Sequence, residues 1–317
     1  MPSKRGEIHV NKPLTDLSLK YSNGSLIADE VFPGFKVNKE SDKYYLFGRQ
    51  DQRIYEALRA NGAPASEILS WAIDSTPSYS CEEYALKDIV TQRDRDNADD
   101  AITPDISTME GLTQAILMAK EKRAVDLAMA AASFATSGNT VTLSGTQQWN
   151  NASFDSDSVT DAIEVRMDNG KEEIRKSTGV EPNYVVIPAA VAKVIKRDAS
   201  VREQIKYTHQ DLLVNGDLPP VLWNMKVLIP GAIYDSVNMG QTFSGTDMWG
   251  KNVLQFYKAP NIGLKTMTFG LAFEARMRQV KKWYDDIRDG DYVEVSEIRD
   301  EKIISEYCGY LTMAVIA

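Results

Sequence analysis

The sequence predicts an α+β fold, in which helices and strands are mixed without a regular βαβ repeat. Two observations support this prediction. One long helical pattern lies in the first half of the chain, and several short β-rich runs follow, most clearly the alternating stretch from Tyr292 to Ile298. The chain has 317 residues, of which 43% are hydrophobic, so it can bury the core of one large domain or two.

The amino-terminal third is predicted to be an arm followed by a long hairpin. The first 28 residues have no sustained period, and the Ser22–Ser25 cluster favours turns, which together predict an extended arm. β-forming residues gather at Val37 and from Tyr44 to Phe47, and a second run extends from Tyr84 to Val90. The loop-rich segment between them contains one short helical pattern, from Ser66 to Ile73. Loops of this length inside a domain are usually functional.

A long helix is predicted from Ser107 to Phe134, with Ser107 and Glu110 as a capping box at its start. Apolar residues at Leu112, Ile116 and Ala119 share one face, which we expect to pack on the carboxy-terminal strands. The opposite face is predicted to be polar and consists of Lys120, Glu121, Lys122 and Asp126.

The remaining elements alternate between helices and strands. Further helices are predicted from Ser158 to Lys176, with an interruption near Asn169-Gly170, and from Ala189 to Arg197 after Pro188. The predicted strands are Tyr184–Ile187, Val221–Ile229, Val253–Tyr257, Tyr292–Ile298 and a run from Ile303 to Ile316.

Composition argues against most enzyme classes. The net charge is −9, so the surface as a whole is not suited to nucleic acid. No apolar run approaches the roughly 20 residues of a membrane span. Two cysteines and two histidines leave little for disulfides, thiolate metal sites or general-base catalysis. We therefore expect no catalytic residue, no cofactor, no metal and no membrane partner.

Two strings deserve a test against known motifs. Gly245 to Asn252 has the glycine–lysine spacing of a phosphate-binding loop, but the following residues predict a strand rather than a helix, which favours a turn. The acidic residues between Asp94 and Asp100 lack the glycine and the closing glutamate of a calcium loop. His9 and His209 have no nucleophile at a recognisable spacing.

Charge is distributed unevenly along the chain. Residues 51–105 contain twelve acids and five bases, a net of −7, whereas residues 193–206 have a net of +3. Either these runs are solvated faces, or they are complementary patches that meet between copies of the chain. The candidate basic partners are Lys193, Lys196, Arg197, Arg202 and Lys206, or Arg276, Arg278, Lys281 and Lys282.

Six short strings, in this order, carry a family resemblance that none of them carries alone. They are Ile27 to Pro33, Ser41 to Phe47, Tyr84 to Ile89, Asp94 to Asp99, Thr178 to Ile187 and Met248 to Val253. From roughly Leu14 to Ile316 the chain resembles the major capsid proteins of tailed bacteriophages, which have the Hong Kong 97-type shell fold.

The resemblance implies four parts. Residues 1–32 are expected to form an amino-terminal arm that reaches over a neighbour, and residues 33–106 an extended hairpin loop that lies across the adjacent subunit. Residues 107–157 and 280–317 correspond to the peripheral domain with its spine helix. Residues 158–279 correspond to the axial domain around the fivefold and sixfold axes.

The implied function is self-assembly, in pentamers and hexamers, into an icosahedral shell that encloses a phage genome. The implied location is the virion capsid, with assembly in the host cytoplasm. Because the sequence begins at the arm, without a fused scaffold domain of the kind some relatives carry, we expect either a separate scaffolding protein or assembly that needs no scaffold. Other expected partners are a portal, a decoration protein and packaged DNA, bound without sequence specificity.

The residues expected at subunit interfaces come from the hairpin and from the carboxy-terminal strands. They are Tyr44, Tyr45, Phe47, Tyr84, Asp94, Arg95, Lys281 and Lys282. Two alternatives remain open: a bacterial nanocompartment (encapsulin-like) shell protein, and a cytoplasmic enzyme with an unrecognised site. A neighbouring gene for a portal favours the phage, and one for an enclosed enzyme favours the nanocompartment.

Overall fold

The structure is a computed structural model of the chain. It describes residues 9–20, 25–44, 58, 61–62, 77–98, 103–205, 218–237, 240–263 and 266–317. Tyr45, Phe47, His209 and the helical pattern predicted from Ser66 to Ile73 lie outside the described residues.

The helices occur throughout the described chain. They are α1 (Lys12–Lys20), α2 (Ala28–Val31), α3 (Gln92–Asp96), α4 (Pro104–Ala128), α5 (Ile163–Thr178), α6 (Ala189–Ile195) and α7 (Ala199–Ile205). Short 3₁₀ helices span Ala131–Phe134, Gly145–Gln147 and Glu306–Cys308. None of the helices in this part of the chain combines the length and the apolar character that crossing a membrane requires.

The strands include two long ones near the carboxy terminus. In chain order they are β1 (His9–Val10), β2 (Gly34–Lys36), β3 (Ser41–Lys43), β4 (Ser78–Ser80), β5 (Glu82–Thr91), β6 (Thr140–Thr142), β7 (Tyr184–Val186), β8 (Val221–Leu222), β9 (Met225–Leu228), β10 (Ile233–Asp235), β11 (Gly245–Asp247), β12 (Val253–Phe256), β13 (Gly270–Asp285), β14 (Gly290–Ile303) and β15 (Gly309–Met313). Helices and strands are thus mixed, and the predicted α+β class is confirmed.

Residues 12–20, which the sequence predicted as part of an extended arm, form a helix. Helix α1 begins after Asn11, whose side-chain oxygen accepts a hydrogen bond from the Leu14 N–H at 3.1 Å. Pro13 follows within the first turn, where its missing N–H costs nothing. The capping asparagine and the proline are local signals for a helix start. The prediction did not use them because the segment has no long apolar period.

Helix α4 is long, as predicted, but its bounds differ at both ends. It begins at Pro104, which again stands where no N–H is needed, so Ser107 lies inside the helix and does not cap it. The capping box of this region is Thr91 with Asp94, at the start of α3. At the other end, α4 stops at Ala128 and a 3₁₀ turn replaces the predicted continuation to Phe134.

The chain divides into two compact units. Unit 1 consists of Met1–Asp42, Tyr79–Val125 and Ala272–Lys302, and unit 2 of Lys43–Ser78, Asp126–Leu271 and Ile303–Ala317. Residues 126–157 and 303–317, which the sequence analysis assigned to the peripheral domain, therefore group with unit 2. Residues 303–317 group with unit 2 because β15 pairs with β12 and β6.

Unit 1 contains a five-stranded sheet. Four of its strands follow the order β1-β13-β14-β5, and the fifth, β2, pairs with β13. Strand β5 pairs with β14 in antiparallel register over ten residues, from Thr91 opposite Gly290 to Glu82 opposite Arg299. One face of this sheet contacts α4 through a cluster of buried side chains. These are Met109, Ile116, Val280, Val293 and Val295, with Leu14, Ile106 and Leu112 at the margin.

The prediction of the apolar face of α4 is only partly confirmed. Ile116 is 2% exposed and lies in the cluster, and Leu112 packs at its edge. Ala119, in contrast, faces solvent, and the supposedly polar Lys120 and Glu121 are buried. A helix that is buried on more than one side does not show a simple apolar stripe.

Unit 2 is a sheet of six strands with order β6-β15-β12-β7-β9-β8. Its turn between β8 and β9 uses Trp223 and Asn224, both with positive φ (50° and 62°), the conformation that two-residue hairpins require. The predicted strand from Val221 to Ile229 is therefore a hairpin. The core between this sheet and the helices includes Ile163, Met167, Val185, Val191, Ile195, Met225 and Val253.

Helix α5 is continuous through Gly170, where the sequence predicted an interruption. A Cβ atom at this position would lie 1.8 Å from the side-chain oxygen of Gln255. The glycine therefore permits close packing of α5 on β12, and Gln255 donates a hydrogen bond to the Met167 carbonyl at 2.9 Å. Gly179, with φ of 75°, ends the helix in the left-handed conformation.

Candidate subunit-contact surfaces

The described base of the predicted hairpin loop is fixed to unit 1. The Cys81 N–H donates to the Glu40 carbonyl at 2.7 Å, which brings the outgoing and returning chains together. The Tyr79 ring stacks on Phe273 with 4.3 Å between centroids. Tyr45 and Phe47 lie outside the described residues, and Tyr44 is buried.

Two of the expected interface cations belong to one ionic cluster within the chain. Arg95 lies 2.7 Å from both Asp105 and Asp291, and Lys282 lies 2.6 Å from Asp105 and 3.3 Å from Asp291. The cluster joins α3, the first turn of α4, β13 and β14. It therefore stabilises the place where the returning hairpin strand meets the sheet.

The contribution of the Asp105 carboxyl to the free energy of unfolding should depend on pH. Burial by itself raises its pKa, but the hydrogen bonds and positive charges of Lys282 and Arg95 outweigh burial and hold the pKa below the usual range. Because a carboxyl with a lowered pKa stabilises the fold only while ionised, this contribution is present above the unfolded pKa of about 3.9. It is lost as pH falls through the lower pKa of the folded state.

We expect Asp105→Asn to lower the free energy of unfolding by roughly 2 kcal/mol at neutral pH, since two charge-assisted hydrogen bonds are weakened. The deficit should be constant above about pH 5 and should shrink below about pH 4. Urea unfolding across this pH range measures it. Asp168→Asn, which breaks an exposed pair with Lys171, serves as the control and should cost less than about 1 kcal/mol. A deficit for Asp105→Asn that stays constant down to pH 3 would contradict the linkage.

The other predicted interface residues also have partners within the chain. Lys281 pairs with Glu294 at 3.1 Å, and the Tyr84 ring lies 3.7 Å below the Arg123 guanidinium. Asp94 is exposed and forms a capping box with Thr91 at the start of α3, in which its carboxylate accepts from the Thr91 N–H at 3.2 Å. The structure thus joins Arg95 and Lys282 in one ionic cluster, whereas Tyr84, Asp94 and Lys281 have other partners.

The basic patches considered as docking partners differ in their surroundings. Arg276 pairs with Glu83, and the Arg278 guanidinium donates to the Ser18 carbonyl at 2.7 Å, so that patch is occupied within its own subunit. Lys193, Arg197 and Arg202, on α6, α7 and the turn between them, are exposed. Among the described residues, no ion pair is found for these three side chains.

Sequence reasoning missed a buried anchor between α4 and the amino-terminal segment. The Glu121 carboxylate, fully buried, accepts hydrogen bonds from the Ile27 N–H at 3.0 Å and the Ala28 N–H at 2.8 Å. Next to it, buried Lys120 pairs with Asp29 on α2. The anchor satisfies the first N–H groups of α2, which lack partners within the helix. The adjacent Lys120-Glu121 pair resembles an ordinary solvated helix face, so no local signal reveals the contact.

The motifs that suggested chemistry have structural explanations. The Gly245 to Asn252 string forms β11 and a turn into β12, and no helix begins there, as the sequence predicted. Burial raises the pKa of the Cys308 thiol to about 12, which keeps it protonated at neutral pH. Within the described residues, no group of three or more His, Cys, Asp or Glu side chains is arranged to hold a metal ion.

Two curated phage proteins are similar to the chain in sequence. The major capsid protein of Burkholderia phage BcepMu is 28% identical over 248 residues, which cover 78% of this chain and 76% of that protein. The major capsid protein of Pseudomonas phage JBD67 is 28% identical over 292 residues, which cover 81% of this chain and 88% of that protein. No protein-family model matches the chain.

Solved structures resemble the chain over nearly its whole length. A phage-related protein from Bordetella bronchiseptica has a TM-score of 0.74 at 20% identity, covering 97% of this chain and 98% of that one. The capsid of cyanophage P-SCSP1u has a TM-score of 0.60 at 9% identity, covering 91% and 88%. An encapsulin from Synechococcus elongatus has a TM-score of 0.50 at 11% identity, covering 91% and 87%.

The two kinds of similarity agree with the order of elements. The structural matches establish the fold, and the sequence matches are to phage major capsid proteins. The chain is thus similar in sequence to two phage major capsid proteins, and it shares its fold with a phage capsid.

Proposed function

We propose that this protein is the structural subunit of a phage capsid and assembles with copies of itself into a closed shell around the genome. The observation that carries the proposal is the sequence similarity to two phage major capsid proteins over about four fifths of the chain. The shared fold supports it, because the match to a phage capsid covers 91% of this chain. The role is structural rather than enzymatic.

The partners follow from this role. We infer that the subunits form pentamers and hexamers, assisted by a separate scaffolding protein, and that a portal, a decoration protein and packaged DNA complete the particle. Assembly in the host cytoplasm and residence in the virion capsid belong to the same proposal. The arm and the hairpin loop would then make many of the contacts with neighbouring subunits.

A nanocompartment shell remains the second candidate because an encapsulin shares the fold. The two proteins that match the chain in sequence are both phage major capsid proteins, and this favours the phage assignment. Particles purified from infected cells should contain double-stranded DNA. Particles that contain a host enzyme and no DNA would favour the nanocompartment.

Sedimentation velocity tests shell formation directly. The purified protein, alone or with its scaffolding protein, should convert from the 35.4-kDa subunit into a species of megadalton mass. A single 35-kDa species under all protein concentrations and salt conditions, with the scaffolding protein present, would contradict the proposal.

A second part of the proposal concerns which basic surface of a neighbouring subunit the acidic hairpin contacts. We propose that the acidic segment 51–105, which exposes Glu82, Asp88 and Asp94, docks on the basic surface around Lys193 and Arg197 of the next subunit. The alternative patch, around Lys281 and Lys282, is occupied by its own carboxylates.

Reversal of Lys193 and Arg197 to glutamate is expected to reduce assembly yield and to weaken its dependence on salt between 50 and 500 mM, where the screening length falls from about 14 to about 4 Å. Reversal of Arg175 and Lys176, an exposed pair on α5, changes the net charge equally and is the control. Equal effects of both double reversals would mean that total charge, and not docking, matters.

A further inference from the structure

A polar cavity of about 280 Å³ lies within unit 1, where α2, α4, β13 and β14 approach one another. It opens to solvent beside Leu19 and Met277, which are both more than 40% exposed. The charged part of its lining consists of four cations and three carboxylates: Lys120, Arg276, Arg278, Arg299, Asp29, Glu274 and Glu297.

Several oppositely charged groups around the cavity stand too far apart for hydrogen bonds. Arg278 Nε is 3.9 Å from Glu297 Oε2, Arg299 Nη1 is 3.6 Å from Glu274, and Arg299 Nη2 is 3.8 Å from Asp29. Hydrogen bonds between N–H and O atoms are shorter than about 3.2 Å. These opposite charges therefore attract one another without a direct hydrogen bond, and the space for another polar species is the cavity itself.

Most of the buried polar atoms on the cavity lining that lack a hydrogen-bond partner are donors, which need acceptors. Arg276 Nε, Arg278 Nε and Arg299 Nη2 are buried donors without an acceptor, whereas Glu297 Oε1 is the single buried acceptor without a donor on the described lining. The Arg299 side chain is only 4% exposed, and its one close carboxylate is Glu301, 2.8 Å from Nε. Buried donors without partners are costly and rare in native proteins.

Carboxylates compensate the positive charge unevenly, since Glu83 and Glu301 add to the three on the lining by pairing with Arg276 and Arg299. Burial alone would lower the pKa of the Arg299 guanidinium, but the nearby carboxylates raise it. Burial lowers the pKa of the Arg278 guanidinium despite the nearby carboxylates of Glu297 and Asp29. Burial and the charge of Arg299 likewise lower the pKa of the Lys120 ammonium. Water brings as many donors as acceptors, but an oxyanion brings acceptors and negative charge together. The cavity is several times the roughly 30 Å³ that one water occupies, so there is space for such an ion.

We propose that this cavity binds one tetrahedral oxyanion of the phosphate class, held by the free N–H groups of Arg278 and Arg299, with Arg276 completing the site. A planar guanidinium offers paired donors that suit phosphate oxygens. Because the cavity is open beside Leu19 and Met277, the phosphate group can belong to a free ion or to a nucleic-acid backbone. The site goes beyond shell formation and does not depend on it.

Inorganic phosphate is the probe, and the full-length protein is studied in phosphate-free buffer. We expect saturable binding of one phosphate per chain by calorimetry, and saturable broadening of the phosphate ³¹P resonance. Sodium chloride at equal ionic strength should not reproduce either effect. A short DNA duplex added as competitor separates the two sources: displacement of phosphate indicates a polymer phosphate, and no displacement indicates the free ion.

Arg278→Gln should weaken phosphate binding by about tenfold or more, since it removes a charged donor. Arg276→Gln, on a more exposed side chain, tests the same site if Arg278→Gln does not fold. Arg175→Gln, on the surface of unit 2, is the control and should leave binding unchanged. Absence of saturable binding to the wild-type protein, or equal binding by Arg175→Gln and both cavity variants, would overturn the proposal. Shell formation in phosphate-free buffer is measured separately by sedimentation.

Discussion

Replacement of Ile116 by aspartate is expected to lower the free energy of unfolding by more than about 3 kcal/mol, enough to leave much of the protein insoluble. Ile116 is 2% exposed and lies among Met109, Val280 and Val293, where α4 packs on the sheet of unit 1. An ionised carboxylate there would have no partner. Urea unfolding of whatever soluble protein is obtained, together with the soluble yield, gives the measurement.

Ala119→Asp is the matched control on the same helix. Ala119 is three residues further along α4 and is exposed, so the same charge should change stability by less than about 0.5 kcal/mol. This pair of variants distinguishes the observed burial from the sequence pattern, which placed both residues on the apolar face. Equal effects of the two substitutions would mean that the orientation of α4 is wrong.

Glu121→Gln is expected to cost about 2 kcal/mol, because the carboxylate that accepts from the Ile27 and Ala28 N–H groups becomes an amide with one acceptor oxygen. One of the two N–H groups then faces an NH₂ group inside the protein. Hydrogen exchange should show the location of the loss, with faster exchange at Ile27 and Ala28 than in the strands of unit 1.

Glu110→Gln provides the comparison for this second variant. Glu110 is half-buried on the same helix, and no hydrogen bond or ion pair links it to the amino-terminal segment within the described residues. Its replacement should therefore lower the free energy of unfolding by less than about 0.5 kcal/mol. Unchanged exchange at Ile27 and Ala28 in Glu121→Gln would show that Glu121 does not anchor this segment.

Local sequence signals predict the structure correctly where they agree with the final environment. The alternating run from Tyr292 to Ile298 is part of β14, and the strand predicted from Tyr84 to Val90 is β5. The glycine–lysine string after Gly245 is a turn between strands, because the strand pattern that follows it outweighed the motif. The order of such elements was sufficient to predict the α+β class and the family resemblance.

The errors arise where the environment is set by distant parts of the chain. Gly170 was read as a helix interruption, but its meaning depends on Gln255 in another element. Glu121 was assigned to a solvated face, although its partners are backbone groups 93 and 94 residues away. Arg95 and Lys282 meet at Asp105 and Asp291, a contact that pairing of strands creates and that no spacing predicts. Their place at a subunit interface stays a prediction.

Electron microscopy of the purified protein, alone and with its scaffolding protein, tests shell assembly most directly. We predict closed particles with icosahedral symmetry whose subunit density contains a 25-residue helix packed on a sheet of long strands, corresponding to α4 with β13 and β14. The contradicting result is a protein that shows a cooperative urea unfolding transition, and is therefore folded, but that gives only dispersed subunits or irregular aggregates under every condition.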